Sequence, residues 1–181
     1  MDILGAIYSF IVQYLGISEE LIVRGWQNRA ALPDDFDVVI LTLLTAQRHG
    51  TNVHDWDGVT PPEGIDETIS MLTEYTVQVD FCGHDEQAVM DRAARLAVIA
   101  RDRIACEFFR PYGFLPLWAE DVRNLTFTNE QRQWEVRYNV ILHVAGWKNV
   151  TISHDAFTSV NIKIEDVDVH HPITSTDSEQ E

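Results

Sequence analysis

Two stretches of this chain alternate apolar and polar side chains with a period of two, and only a sheet with one covered face satisfies that rhythm. In the first, Ile69, Met71, Tyr75, Val77, Val79 and Phe81 face one way, while Ser70, Glu74, Thr76, Gln78 and Asp80 face the other. In the second, Trp134, Val136, Tyr138, Val140, Leu142 and Val144 share a face, opposed by Glu135, Arg137, Asn139 and His143. A third alternating run is expected over residues 157–167, with Val160, Ile162 and Ile164 inside against Asn161, Lys163 and Glu165. Val38 to Leu44 is apolar without alternation, which predicts a strand covered on both faces. The alternation also predicts how damage is distributed: Val79→Asp is expected to be severe and Gln78→Asp mild, one side chain pointing inward and the other outward.

Helical periodicity appears twice. Ile3, Ile7, Phe10, Ile11 and Tyr14 recur at spacings of three and four, and Gly16 follows as a stop. The apolar start lacks the basic residue of a signal peptide, Asp2 standing there instead, and no small-residue cleavage site follows; an amphipathic helix is the reading. Val89, Ala93, Leu96, Ala97, Ala100 and Ile104 form the second stripe, preceded by Asp85 and Glu86 where a helix has its positive dipole end. Its small alanines predict a helix lying flat on the face made by Val77, Val79 and Phe81. A short helical turn is expected within residues 18–29, and a strand over Arg123 to Thr128 leading through Asn129 and Glu130 into the long alternating run.

Gly50, Asn52, Gly58, Pro61, Pro62 and Gly64 punctuate residues 47–65, which predicts a long loop carrying Trp56 between Asp55 and Asp57. The segment FFRPYGFLPLW, Phe108 to Trp118, holds two prolines and a glycine that forbid a continuous helix or a central strand. Its aromatics either fold over the end of the chain's own core or pack on a neighbour. Phe109, Tyr112, Phe114 and Trp118 are the candidate contacts, joined by Trp56 in its loop and by Trp147 where the long strand is expected to run out.

These elements predict an α+β fold: a largely antiparallel β-sheet with two main helices packed on one face. One domain is expected over residues 1–168, and residues 169–181, rich in Ser, Thr, Asp and Glu, read as an acidic disordered tail. The 181 residues carry 29 acidic and 13 basic side chains, a formal charge of -16. That balance argues against sequence-specific DNA binding, which needs lysine and arginine at the phosphates, and is compatible with DNA passing nearby without sticking. No apolar run approaches the roughly 20 residues of a membrane-spanning helix, so no membrane partner is expected.

Catalytic patterns are missing from the sequence. There is no glycine-rich phosphate loop, no GxSxG elbow, and no partner for Asp55 and Asp57, which read as soluble turn residues. The seven histidines include no ligand pair at helical spacing. His170 and His171 read as solvated neighbours, and His143 as solvated or locally hydrogen-bonded. Cys82 and Cys106 lack any short paired spacing and are expected as reduced thiols in a cytoplasmic setting. The expectation is therefore no enzyme, no cofactor and no metal.

The passages YTVQVDFCG (Tyr75 to Gly83), RAARLAVIARD (Arg92 to Asp102), RNLTF (Arg123 to Phe127) and QWEVRYNVILHV (Gln133 to Val144) resemble, in that order, the neck and tail terminator proteins of tailed bacteriophages. RGWQN (Arg24 to Asn28), followed by a proline and an apolar strand, is similar to the family's N-terminal part, and the likeness spans about residues 21–167. The resemblance implies a structural virion protein without catalytic residues, assembled in the host cytoplasm. Such a subunit forms a homo-oligomeric ring, usually a hexamer, that caps the tail tube and joins tail to head. Its partners are tail tube and head-connector proteins, with the genome passing through the ring. The 47–65 loop and the acidic tail depart from the family pattern. An alternative from another class is a monomeric or dimeric binding module that grips a partner protein through the 47–65 loop.

Overall fold

Asp2 opens the first helix by accepting a hydrogen bond from the Gly5 amide, at 2.6 Å, and Gly16 closes it in the left-handed conformation at φ 69°. Between these caps α1 runs Ile3–Leu15 and buries Ile3, Ile7, Phe10 and Ile11, the stripe read from the sequence. In the computed structural model of the chain, residues 2–25, 37–57, 64–128 and 132–154 are described. The alternating run at 157–167, the acidic tail and the Asn129–Glu130 turn lie outside them.

The strands are β1 (Ile22–Arg24), β2 (Val39–Asp57), β3 (Ile65–Gly83), β4 (Phe114–Ala119), β5 (Arg123–Asn124), β6 (Phe127–Thr128) and β7 (Trp134–His154). They lie in the order β1-β2-β3-β7-β4, with β5 and β6 pairing further along β7. Among the described strands only β1 and β2 run parallel. The helical turn expected after residue 18 is one 3-10 turn, Glu19–Leu21, that passes into β1.

β3 and β7 form the centre, in unbroken antiparallel register from Ile65↔His154 to Gly83↔Val136. Val77, Val79 and Phe81 on β3 and Val140, Leu142 and Val144 on β7 are all buried, so the two rhythms build one shared face. On it lies α2 (Glu86–Ile99), which touches both strands and buries Val89, Ala93 and Leu96. Asp85 caps α2 by accepting from the Gln87 and Ala88 amides. The helix stops one turn earlier than its apolar stripe suggests. Asp102 starts a separate short helix, α3 (Arg103–Phe109), and Ile104 there is partly exposed instead of continuing the stripe. The fold is α+β, with α3 added to the two main helices.

Four expectations need correction. Residues 47–57 are not loop: they continue β2 and pair with β3 as far as Asp57↔Asp66. The punctuation there marks a break in register between His49 and Val53, where Gly50 takes φ 76°, a conformation glycine adopts at little cost. β7 does not run out near Trp147 but continues to His154. The apolar run of β2 is covered on both faces only at its start, since Leu43 and Leu44 are exposed.

Fourth, the outward face of the sheet centre is not open. Asp80 is completely buried there, held by Arg137 at 2.9 Å and by the amide of Gln78 at 2.8 and 2.9 Å. Burial of the neighbouring Cys82 thiol pushes its pKa up to about 11, and Cys82 and Cys106 are both free.

Candidate assembly surfaces

The sheet is longer than the helices that cover it. From Leu43 outward β2 is exposed at every described position, and so is β7 from Trp147 to His154. Together with residues 65–73 of β3 they form a three-stranded arm, its register fixed on both sides of β3. Strand pairing sorts its side chains. Trp56, Ile69, Met71, Val150 and Ile152 fall on the face that continues into Val77 and Val79, while Asp55, Ser70, Asn149, Thr151 and Trp147 fall on the other. Val150 is 61% exposed, Trp56 55% and Trp147 54%, large values for apolar side chains in regular strands.

Two histidine–glutamate crossties hold the three long strands in line, one within the arm and one at its base. Glu67 on β3 accepts from His54 of β2 at 2.6 Å and from His154 of β7 at 2.9 Å. Glu74 is bonded in the same way to His49 of β2 at 2.6 Å and His143 of β7 at 2.7 Å, and the other ring nitrogen of His143 lies 3.3 Å from Glu120. The hydrogen bond from His54, then that from His154, holds the Glu67 carboxyl below the ordinary glutamate range. For Glu74 the bond from His143 does most of this, opposed by its burial. Pairs of residues far apart in the chain make each crosstie, so neither has a signature in local spacing. Among the described residues no cluster of histidine, cysteine and carboxylate is arranged to hold a metal ion.

The six aromatics singled out in the sequence separate into two groups. Phe109 is buried against Phe10 at 5.1 Å between ring centres, so it finishes the core beneath the surface. Tyr112 packs on Phe108, and Phe114 stands edge-on to Tyr75 at 6.0 Å, both partly buried. Trp118 is 45% exposed and stacks on His143 at 4.2 Å. Trp56 and Trp147 lie on opposite faces of the arm, with Trp56 5.4 Å from the His154 ring.

Phe114 explains a glycine that interrupts the β7 alternation. A Cβ on Gly146 would lie 2.6 Å from the Phe114 ring, so the ring requires a bare backbone there. At that point β4 begins, among the described residues an edge strand paired only with β7, a position that tolerates Pro116. Beside it is an apolar hollow of about 470 Å³ whose lining includes Leu72, Cys106, Phe114, Leu117, Gly146 and Trp147. The exposed Val150, Ile152, Leu115 and Leu117 escaped the sequence reading, because alternation over solvent is not enforced by a core.

Among the described residues the arm presents unpaired strand edges and exposed apolar patches. No curated protein sequence matches the chain. No helix among the described residues is long and apolar enough to cross a membrane. The family model described as phage neck terminator protein matches residues 3–176, a span that takes in both the helix-covered centre and the arm. The chain therefore belongs to the phage neck terminator family, whose members are structural proteins of the phage neck and tail.

Proposed function

We propose that the protein closes into a ring, most simply a hexamer, that caps the tail tube and joins it to the head, leaving a channel for the genome. The observation that carries this reading is the arm: a long, regular sheet extension whose two outer strands have unpaired edges among the described residues and whose faces expose Trp56, Val150 and Trp147. A monomer gains nothing from keeping such edges open, since they invite pairing with any other strand. Head-to-tail contact between identical copies covers an edge on every subunit at once and closes when the rotation permits. The -16 formal charge suits a channel wall past which DNA slides without being held. On this reading the role is one of assembly.

Trp56, near the tip of the β2–β3 hairpin, also suits contact with a tail tube or head-connector protein stacked on the ring. The alternative of a monomeric or dimeric module gripping its partner through residues 47–65 keeps this contact but dispenses with the ring. Native mass measurement together with pull-down of a Trp56→Ala variant separates them. A ring that forms normally but loses its stacked partner supports the proposal; a protein that is monomeric or dimeric by mass, and that binds the partner with Trp56 but not with Trp56→Ala, supports the alternative.

A further inference from the structure

His143 on β7 is nearly buried and has a contact on each ring nitrogen and on its face. Nδ1 lies 2.7 Å from the Glu74 carboxylate of β3, and Nε2 lies 3.3 Å from Glu120, just past β4. The ring stacks on Trp118, its cross-strand neighbour, at 4.2 Å and 18°. The second oxygen of Glu74 is bonded to His49 of β2 at 2.6 Å, and the second oxygen of Glu120 to Arg123 of β5 at 2.6 Å. An ionised carboxylate only accepts, so both nitrogens of His143 have to donate for both contacts to hold. A neutral imidazole carries one ring proton and serves only one of them. The cluster therefore closes around the charged ring, and a cation on the face of Trp118 adds attraction.

We infer that His143 is a proton-operated clasp on the end of β4: with both nitrogens protonated it holds Glu120 and Trp118 against the sheet, and on losing one proton it releases them. The proton that leaves is the one on Nε2. Glu74 makes the shorter bond, and that bond, more than the one from His49, holds its carboxyl below the ordinary glutamate range, so Glu74 stays an acceptor. Glu120 then faces a lone pair in place of an N–H, and attraction turns to repulsion. The backbone does not follow, because the bonds from Arg101 of α2 to the Ala119 carbonyl and from the Glu120 amide to the Ile141 carbonyl need no histidine. The change is confined to two side chains, and Trp118 stands beside the break in register between Pro116 and Trp118, where the strand is least regularly held.

The clasp is fastened on the acid side of the ring's titration and opens as pH rises through it. The Glu67 crosstie supplies the contrast. His54 and His154 each bring a single nitrogen to Glu67, as His49 does to Glu74, so neutral rings satisfy those contacts and a rise in pH leaves them in place. Trp118 is thus the contact residue whose presentation a rise in pH alters, while Trp56 beside His154 keeps its place. The clasp lies within one subunit and acts whether or not a ring forms.

A pH titration of the isotope-labelled full-length chain, followed by NMR from about pH 5 to about pH 9, is the test. The Trp118 ring signals are identified by their absence from Trp118→Phe. The expected result is that both His143 ring nitrogens are protonated at the acid end, with strong cross-relaxation between the His143 and Trp118 rings. That cross-relaxation is lost, and the Glu120 amide signal moves, as one of the two protons leaves. Glu120→Gln should keep the rings together over the whole range, because a glutamine side chain serves a protonated or a neutral ring equally well. A His143 ring that titrates while Trp118 stays stacked on it overturns the proposal, and so does a ring whose protonation never changes over that range. Equal loss of the ring contact in the parent and in Glu120→Gln overturns it as well. The titration of the parent decides by itself, so its result stands even where Glu120→Gln fails to fold.

Discussion

Arg137 reaches from β7 across to Asp80 on β3, 2.9 Å away, and is the cation paired with a carboxylate that has no solvent exposure at all. The hydrogen bond that Arg137 donates to Asp80 raises the Arg137 pKa further, although burial opposes it. Breaking such a pair on one side leaves an uncompensated charge inside, which costs far more than the pair itself contributes. Arg137→Leu is expected to lower stability by roughly 3 kcal/mol, and Arg137→Leu with Asp80→Leu by much less. Urea denaturation of the two single variants and the double variant measures the coupling.

The same buried carboxylate changes the expectation for Gln78. Its side-chain amide donates to both oxygens of Asp80, so Gln78→Asp replaces a donor by a second negative charge beside the first. Val79→Asp places a charge between sheet and α2 with no partner and should cost about 4 kcal/mol. Gln78→Asp, mild by alternation alone, should cost about 2 kcal/mol. Thermal denaturation of both variants checks the order, and a Gln78→Asp protein as stable as the parent would remove the buried pair from the account.

Gly146 and Phe114 make a steric prediction. Gly146→Ala puts a methyl group where the Phe114 ring lies and forces the start of β4 away from β7, at a cost of roughly 2 kcal/mol. Phe114→Leu in the same chain should recover part of that loss. The double-variant stability, read by calorimetry, distinguishes this clash from a general intolerance of substitution in the strand.

Acid should loosen the arm before it unfolds the centre. Glu67 and Glu74 both have carboxyl groups held below the ordinary value of 4.5 by their histidine partners. A carboxyl depressed in the folded state contributes stability that is full above its unfolded value and fades as pH falls through the folded one. The arm is thus expected to lose order from about pH 4.5 downward, each carboxylate giving up its crosstie as it takes a proton. Tryptophan fluorescence follows this, since Trp56 lies beside His154 and Trp118 on His143. In the Glu67→Gln/Glu74→Gln variant that acid transition should be largely gone.

How much of this was legible in the sequence depended on where a core enforces a pattern. Residues 75–81 and 136–144 pack in the helix-covered core, so a misplaced polar side chain there is costly and the period of two is plain, whereas Trp134 at the start of that run is 74% exposed. Residues 47–57 and 147–154 belong to the same strands, but solvent touches both faces, and neither Gly50 nor Lys148 is penalised enough to be excluded. Residues 47–57 of the loop expected at 47–65 are strand for that reason. The crossties were illegible for another: His49 and Glu74 are 25 positions apart, and His154 and Glu67 are 87 apart. Only the register of three strands brings them together. Among the candidate contacts, the surface positions of Trp56, Trp118 and Trp147 were foreseeable from their punctuated surroundings, whereas Phe109 went inward because α1 supplied Phe10 to meet it.

The most direct test of the assembly role is electron microscopy of purified phage particles with the chain located by a tag or antibody label. The account predicts a closed ring of this protein at the junction of head and tail. Particles whose neck lacks the chain, with the isolated protein monomeric at all concentrations, would contradict it.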